Sequence, residues 1–390
     1  MRGITQQSAV PGKCDTPVLA RARELFGNVV RGKGHICSTA ADLADRIEQH
    51  LSSTITTTDN LTETLIASRY KVGRRVARQV SRVMQHRGIM EPRRGGNGMG
   101  GLWAVVPDPD AIVSALHAEI DDCDPTVAAK EAVVWLAPTL TLQIDASTEL
   151  VRRLLGHMSA ASRDTRLLHT RSTQAEWVAS RIVSDAQGHS APGAYLGSLA
   201  AIAERYGISL EVAVEAVRIL EDHQQVVLKR GRQGGVFLAG PRQSKALHMT
   251  NAFLAGHHAS PKRCRLLLDA VNYAMIELAC QRRDDPGVLR VQQSFKSMEQ
   301  ARNPTALGTA WYSFIRDIAD LAGNPILHFT ARALAGSILL RRVSSAELPD
   351  AAARELFDAS RLIMDNIVSH SDSGNKEAHL RCQFALENYW

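Results

Sequence analysis

The sequence predicts a mainly α protein built on two winged helix-turn-helix units, each of three helices plus a β-hairpin wing. Two observations predict it. One is the stretch RYKVGRRVARQVSRVMQHRGIMEPRRGGNGMGGLWAV over residues 69–105, which carries nine Lys and Arg up to Arg94 and a single acid, Glu91. The other is the return of the same pattern about 136 residues later, too long a period for a solenoid and present only twice.

Composition sets the frame. With 390 residues the chain exceeds one ordinary core, so two or three domains are expected. Apolar residues make up 45% and charged residues 22%, which are globular values. No apolar run approaches the roughly 18 to 20 residues that a membrane helix needs, and no membrane partner is expected. The first residues, MRGITQQSAVPGKCDTP, have no apolar h-region, which argues against secretion. Six scattered cysteines with no CxxC pair read as reduced, mostly core residues of a cytoplasmic protein. The net charge of +6 is modest for this length, so its placement matters more than its size.

In the first unit, LTETLIASRYKVG gives a short helix over 61–69 and a tight turn over 71–73. In the helix that follows, Val72, Val76, Val80 and Val83 share one face, while Lys71, Arg74, Arg75, Arg78 and Arg82 occupy nearly the opposite one. Ile89 and Met90 then form a short strand, a glycine-rich loop follows, and residues 102–106 return as a second strand. This is a helix, a turn, a second helix and a hairpin wing. A helix with one basic face fits the major groove of duplex DNA, and basic residues on a flexible wing (Arg93 and Arg94 here) suit the adjoining phosphates. The bland reading, a solvated helix face, leaves that order of elements unexplained.

In the second unit, AIAERYGI (201–208) answers LIASRYKV (65–72), with Arg205 and Tyr206 matching Arg69 and Tyr70. ASRI (179–182) answers ADRI (44–47), and the wing KRGRQGGVFLA (229–239) answers RRGGNGMGGLWAV. The module is duplicated.

LAAIAERYGISLEVAVEAVRILEDHQQVVLKRGRQGGVFLAGP resembles the winged helix-turn-helix of GntR-type transcriptional regulators, and the first copy resembles it equally well. Downstream, WYSFIRDIADLAGNPILHFTARAL (311–334) resembles the effector-domain segment of the FadR-like branch that ends in A-G-N-P-x-L, and LLLDAVNYAMIELACQR (266–282) its first helix. KEAVVWLAPTLTLQIDASTELVRRLLGHM (130–158) resembles the start of that domain again but stops after about two helices. The resemblance covers nearly everything after residue 40. Residues 1–38 read as a leader with one helix near 16–29, and the resemblance implies a first winged helix over 39–107. A truncated helical half then spans 108–168, a second winged helix 169–241, and an all-α effector and dimerisation bundle 242–390. It also implies double-stranded DNA as partner, a small-molecule effector, and a cytoplasmic, nucleoid-associated location. A homodimer with four winged helices is the implied assembly, because operator symmetry normally mirrors protein symmetry. The competing arrangement is a monomer whose two copies imitate a dimer.

Departures from the family pattern sharpen the expectation. Its two DNA-reading arginines, four residues apart, fall on Arg74 and Arg78 in copy one but on Leu210 and Val214 in copy two. Glu211 and Glu215 beside them carry the wrong sign for phosphate, although Arg218, Lys229, Arg230 and Arg232 stay basic. Arg69, Lys71, Arg74, Arg75, Arg78, Arg82, Arg93, Arg94, Lys229, Arg230 and Arg232 are therefore the candidate DNA contacts, with copy one the main reader. The family's metal-binding positions fall on Trp311, Ile315, Ser360 and a position near Cys382 or Gln383, none a histidine or carboxylate. Trp311, Ile315 and Ser360 are the candidate effector pocket, and no metal or other cofactor is expected there. A ligand would be of another kind, or there would be none. His370 and His379 read as surface or turn histidines.

No G-x-S-x-G, H-E-x-x-H, P-loop or dinucleotide fingerprint is present, and GGNGMGG lies between strands without the lysine of a phosphate loop. The group Glu211, Glu215, Glu221 and Asp222 reads as a solvated helix face. An enzyme is not expected. The alternative to a DNA reader is a scaffold or co-regulator that keeps the fold for protein association, which copy two alone would suit.

Overall fold

A computed structural model describes residues 39–54, 60–93, 101–120, 124–142, 145–160, 174–187, 194–222, 225–229, 231, 234–238, 244–282, 284–341 and 349–386. The expected leader helix and Arg94, Arg230 and Arg232 lie outside the described residues. As the sequence predicts, the fold is mainly α, with two small sheets.

The first module runs α1 (Thr39–Thr54), β1 (Asn60–Leu61), α2 (Glu63–Tyr70), α3 (Arg74–His86), β2 (Met90–Arg93) and β3 (Gly101–Ala104). Helix α1 buries Ala40, Leu43, Ala44, Ile47 and Leu51, a three-to-four-residue spacing that makes one apolar face. Thr62 accepts a hydrogen bond from the Leu65 amide at 3.1 Å, so α2 starts after Thr62, two residues later than the apolar pattern alone suggests. Lys71 then takes a left-handed conformation (φ 54°) and turns the chain into α3. The strands form an antiparallel sheet in the order β1-β3-β2, with Glu91 opposite Trp103 and Arg93 opposite Gly101. The ladder sits slightly off the expected strand limits, though the Val105 amide still donates to the Ile89 carbonyl at 3.0 Å.

The second module repeats this with α7 (Gln174–Gln187), β4 (Tyr195–Gly197), α8 (Leu199–Tyr206), α9 (Leu210–Asp222), β5 (Val226–Lys229) and β6 (Gly235–Leu238), in the sheet order β4-β6-β5. Ser198 caps α8 on the Ala201 amide at 3.1 Å, and Gly207 (φ 62°) ends it where Lys71 ends α2.

Among the described residues, the remaining elements are helices. After the first module come α4 (Pro109–His117), α5 (Pro125–Leu142) and α6 (Ala146–Ala160). After the second come α10 (Lys245–Gly256), α11 (Pro261–Gln281), α12 (Asp285–Glu299), α13 (Pro304–Ala322), α14 (Pro325–Arg341), α15 (Asp350–Ser369) and α16 (Asn375–Leu386). Corresponding helices open at matching positions: Glu63 and Leu199, Arg74 and Leu210, Pro109 and Lys245, Pro125 and Pro261. Both helical regions share one apolar core, which takes in Ile112, Leu136 and Leu154 from the short region and Leu267, Phe314 and Ile363 from the long one.

Polar groups lock the two regions together. Asn324 donates to the Ala128 carbonyl at 3.0 Å and to the Glu131 carboxylate at 2.7 Å, while its own side-chain oxygen caps α14 on the amides of Ile326 and Leu327. Arg282 donates to Glu131 and to the Ala322 carbonyl. Glu119, beyond α4, accepts from the Ser244 hydroxyl and the Ala246 amide at the start of α10.

The modules are attached unequally. The first module's core takes in Ala252 of α10. Arg87, buried after α3, donates to Glu48 at 2.8 Å and to Asp45, and His248 of α10 lies 2.8 Å from the other Glu48 oxygen. Burial pushes the Glu48 carboxyl up, but His248 and Arg87 outweigh it and hold the group below the ordinary carboxylate range. Among the described residues, the second module's core is made only of its own side chains.

Candidate nucleic-acid interface

Helix α3 has no side-chain cap; Gly73 precedes it, and Arg74 and Arg75 occupy its first turn. Its buried side is Ala77, Val80, Ser81, Val83 and Met84, with Val72 and Val76 half-buried beside them. That burial fixes which way the helix faces and leaves Lys71, Arg74, Arg75, Arg78 and Arg82 exposed along the other side. Arg78 meets Glu63 at 3.4 Å with side chains 66% and 44% exposed, a surface pair that a phosphate or base can displace at small cost. Arg69 is also exposed and lies over the Tyr70 ring. On β2, Arg93 meets Glu91 at 2.8 Å and lies over the Trp103 ring of β3.

The structure therefore brings Arg69, Lys71, Arg74, Arg75, Arg78, Arg82 and Arg93 into one module. Arg87, part of the same basic run, turns inward to Asp45 and Glu48 instead. Helix α9 presents a different surface. Leu210, Glu211, Glu215 and Arg218 are exposed and Val214 is half-buried. Glu221 is not simply solvated, because its carboxylate accepts from the Leu228 amide at 3.0 Å. At the end of β5 Lys229 is exposed, its ammonium 4.4 Å from the Phe237 ring centroid.

A feature the sequence did not announce is that α3 and α9 lie against each other. Between them runs a cleft of about 550 Å³ lined by Arg75, Arg78, Gln79 and Arg82 on one side and Val214, Arg218 and Glu221 on the other. No local signal could have shown this, since the two helices are joined only through the tertiary fold.

The candidate effector residues also converge. Trp311 and Ile315 lie on α13, Ser360 on α15 and Cys382 on α16, and the Ser360 hydroxyl is 3.8 Å from the Cys382 sulfur. Ser360 is fully buried, Trp311 nearly so, and Ile315 packs against the apolar core that includes Trp311. Burial pushes the Cys382 thiol up to about 12, so it stays protonated. Among the described residues no group of three or more His, Cys, Asp or Glu is placed to hold a metal ion. His370 is the exposed residue that ends α15, as expected of a turn histidine. His379, expected at the surface or in a turn, is instead buried on α16, where the Asp269 carbonyl supplies a partner that local pattern cannot reveal. Among the described residues no helix is long and apolar enough to cross a membrane.

Residues 266–381 match the FCD domain. No curated protein matches the chain. Among solved structures, a GntR of Streptococcus agalactiae aligns with 17% identity and a TM-score of 0.39, covering 55% of this chain and 98% of that one. A protein described as a transcriptional regulator GntR from Rhodococcus sp. RHA1 aligns with 21% identity and a TM-score of 0.24, covering 56% of this chain and 96% of that one.

Proposed function

We propose that this chain is a GntR-type transcriptional regulator of the FadR-like branch that binds double-stranded DNA chiefly through its first module. In this reading both modules are winged helices, α3 is the recognition helix, and β2 with β3 is its wing. The FCD match over 266–381 supports it, because that domain is the C-terminal effector domain of GntR regulators. The observation that carries it is the exposed row of Lys71, Arg74, Arg75, Arg78 and Arg82 on the side of α3 turned away from its core. Arginine presents a planar fork of donors that matches the acceptors of guanine in the major groove. Arg69 and Arg93 extend the basic surface, with Arg94 of the same wing, and bind phosphate. The second module, with Leu210 and Val214 at the reading positions, contacts backbone through Lys229, Arg230 and Arg232 and reads little sequence. The helical region around Trp311, Ile315 and Ser360 takes any small-molecule effector without a metal.

Binding of point variants to a selected duplex tests the assignment. Arg74→Ala or Arg78→Ala is expected to cost roughly 1–3 kcal/mol and to relax specificity at one base pair. Arg93→Ala is expected to weaken binding evenly across sequences and flatten its salt dependence. Leu210→Ala and Val214→Ala are expected to leave the preferred sequence unchanged. The reverse pattern, with α9 changes moving the preference and α3 changes not, would assign reading to the other module. One observation favours a second reading, a scaffold for protein association, for the second module alone: Glu211 and Glu215 are exposed where an anion would have to approach. Binding to DNA that shows no steep loss with salt would favour that reading for the whole chain.

A further inference from the structure

We infer that a single chain is the DNA-reading unit and that its site is non-palindromic, with one half read by α3 and the adjoining stretch covered by the second module without base readout. The first part stands on which helices touch. Helix α3 lies against α9, α4 against α10 and α5 against α11, and in each pair the partners hold the same place in the two copies. An isologous interface likewise brings like elements of two copies together. Three such pairs run from the modules into the helical region. At the module end, Arg78 and Arg82 line one cleft together with their counterparts Val214 and Arg218. In the helical region the pairing is held by Asn324 and Arg282 on Glu131 and by Glu119 on the start of α10. Like elements of the two copies thus already pack on each other within one chain.

The order of elements repeats, but the chemistry does not. Arg74, Arg75 and Arg78 on α3 correspond to Leu210, Glu211 and Val214 on α9, so donors suited to guanine stand in one copy only. Because operator symmetry mirrors that of the protein, a pair with one reading helix requires a site with one read half. This second part rests on the DNA reading proposed above; the internal pairing does not.

Two measurements on the full chain keep them apart. Light scattering of the free protein at micromolar concentration is expected to give 42.6 kDa, and a stable mass near twice that would overturn the single chain as the unit. Selection from random duplexes, followed by the mass of the complex, is expected to give one chain per duplex and a consensus without an inverted repeat. Two chains on an inverted repeat would overturn the inference. Selection that enriches no sequence, with a free mass of 42.6 kDa, would overturn the DNA reading and the site claim together while supporting the single chain as the unit. The double variant Leu210→Arg, Val214→Arg gives the silent helix a reading pair at exposed and half-exposed positions. Its consensus is expected to gain base pairs adjoining those read by α3, because Val214 shares the cleft of Arg78, and an unchanged consensus from the folded variant would overturn the placement of α9 as the silent counterpart of α3.

Discussion

His379 sits inside the bundle on α16, its Nε2–H donating to the Asp269 carbonyl at 2.9 Å. Burial pushes the imidazole down to about 4 and the nearby Arg265 adds to it, outweighing the opposite pull of the Asp269 carbonyl. In the unfolded chain the ring titrates near 6.5. As pH falls below that value, the unfolded chain takes up the proton first, so stability present above about 6.5 is lost on the way down to about 4. This group is expected to account for a loss of roughly 2–3 kcal/mol over that window. His328, also pushed to about 4 by burial, acts in the same direction. Denaturant unfolding from about pH 7 to about pH 5 should show the loss, reduced in His379→Gln. A variant with the wild-type slope would sink the attribution. Such residues mark what single positions conceal: the arginine row of α3 repeats with helical period and is legible, whereas a lone histidine on the core side of α16 depends on Asp269, far away in sequence.

Helices α2 and α8 both end in a left-handed residue, but α2 uses Lys71 (φ 54°) and α8 uses Gly207 (φ 62°). A side chain in that region is strained by about 1 kcal/mol or more, a cost glycine avoids. Strain of this kind persists where function requires it, and Lys71 stands at the head of the basic row. Lys71→Gly is therefore expected to stabilise the chain by about 1 kcal/mol while weakening DNA binding and lowering its salt slope by about one contact. Gly207→Ala should cost about as much stability, through the backbone alone, since a Cβ there would meet nothing within 4 Å. Thermal melts and salt titrations of both variants test this; a Lys71→Gly protein unchanged in both would refute it. At this scale the sequence is most informative, because caps, turns and strand pairs are local. The strands it did not reveal, Asn60–Leu61 and Tyr195–Gly197, are too short for alternation to show and exist only because β3 and β6 offer an edge.

How the copies sit on one another was not legible at all. Asn324 and Glu131, or Glu48 and His248, find each other only in the folded chain, and neither pair has a spacing that announces it. Yet these contacts decide how the molecule comes apart. The first module is fastened to the bundle by Glu48, Arg87 and His248 and by the shared Ala252, whereas the second keeps a core of its own. Regions with few apolar contacts to the rest open separately, below the global unfolding free energy. Hydrogen exchange is therefore expected to show α7, α8 and α9 opening as one unit, and α1 and α3 protected together with α10. Glu48→Gln removes one charge from a buried group whose partners remain, a change of the kind that costs roughly 3–5 kcal/mol when nothing replaces the pair. Its effect should be confined: protection in α1 and α3 falls, that in α7 to α9 stays, because the Glu48 partners Arg87 and His248 lie outside the second module. Equal loss in both modules would mean that the face between α3 and α9, not the clamp on α10, is what fixes the first module to the rest of the chain.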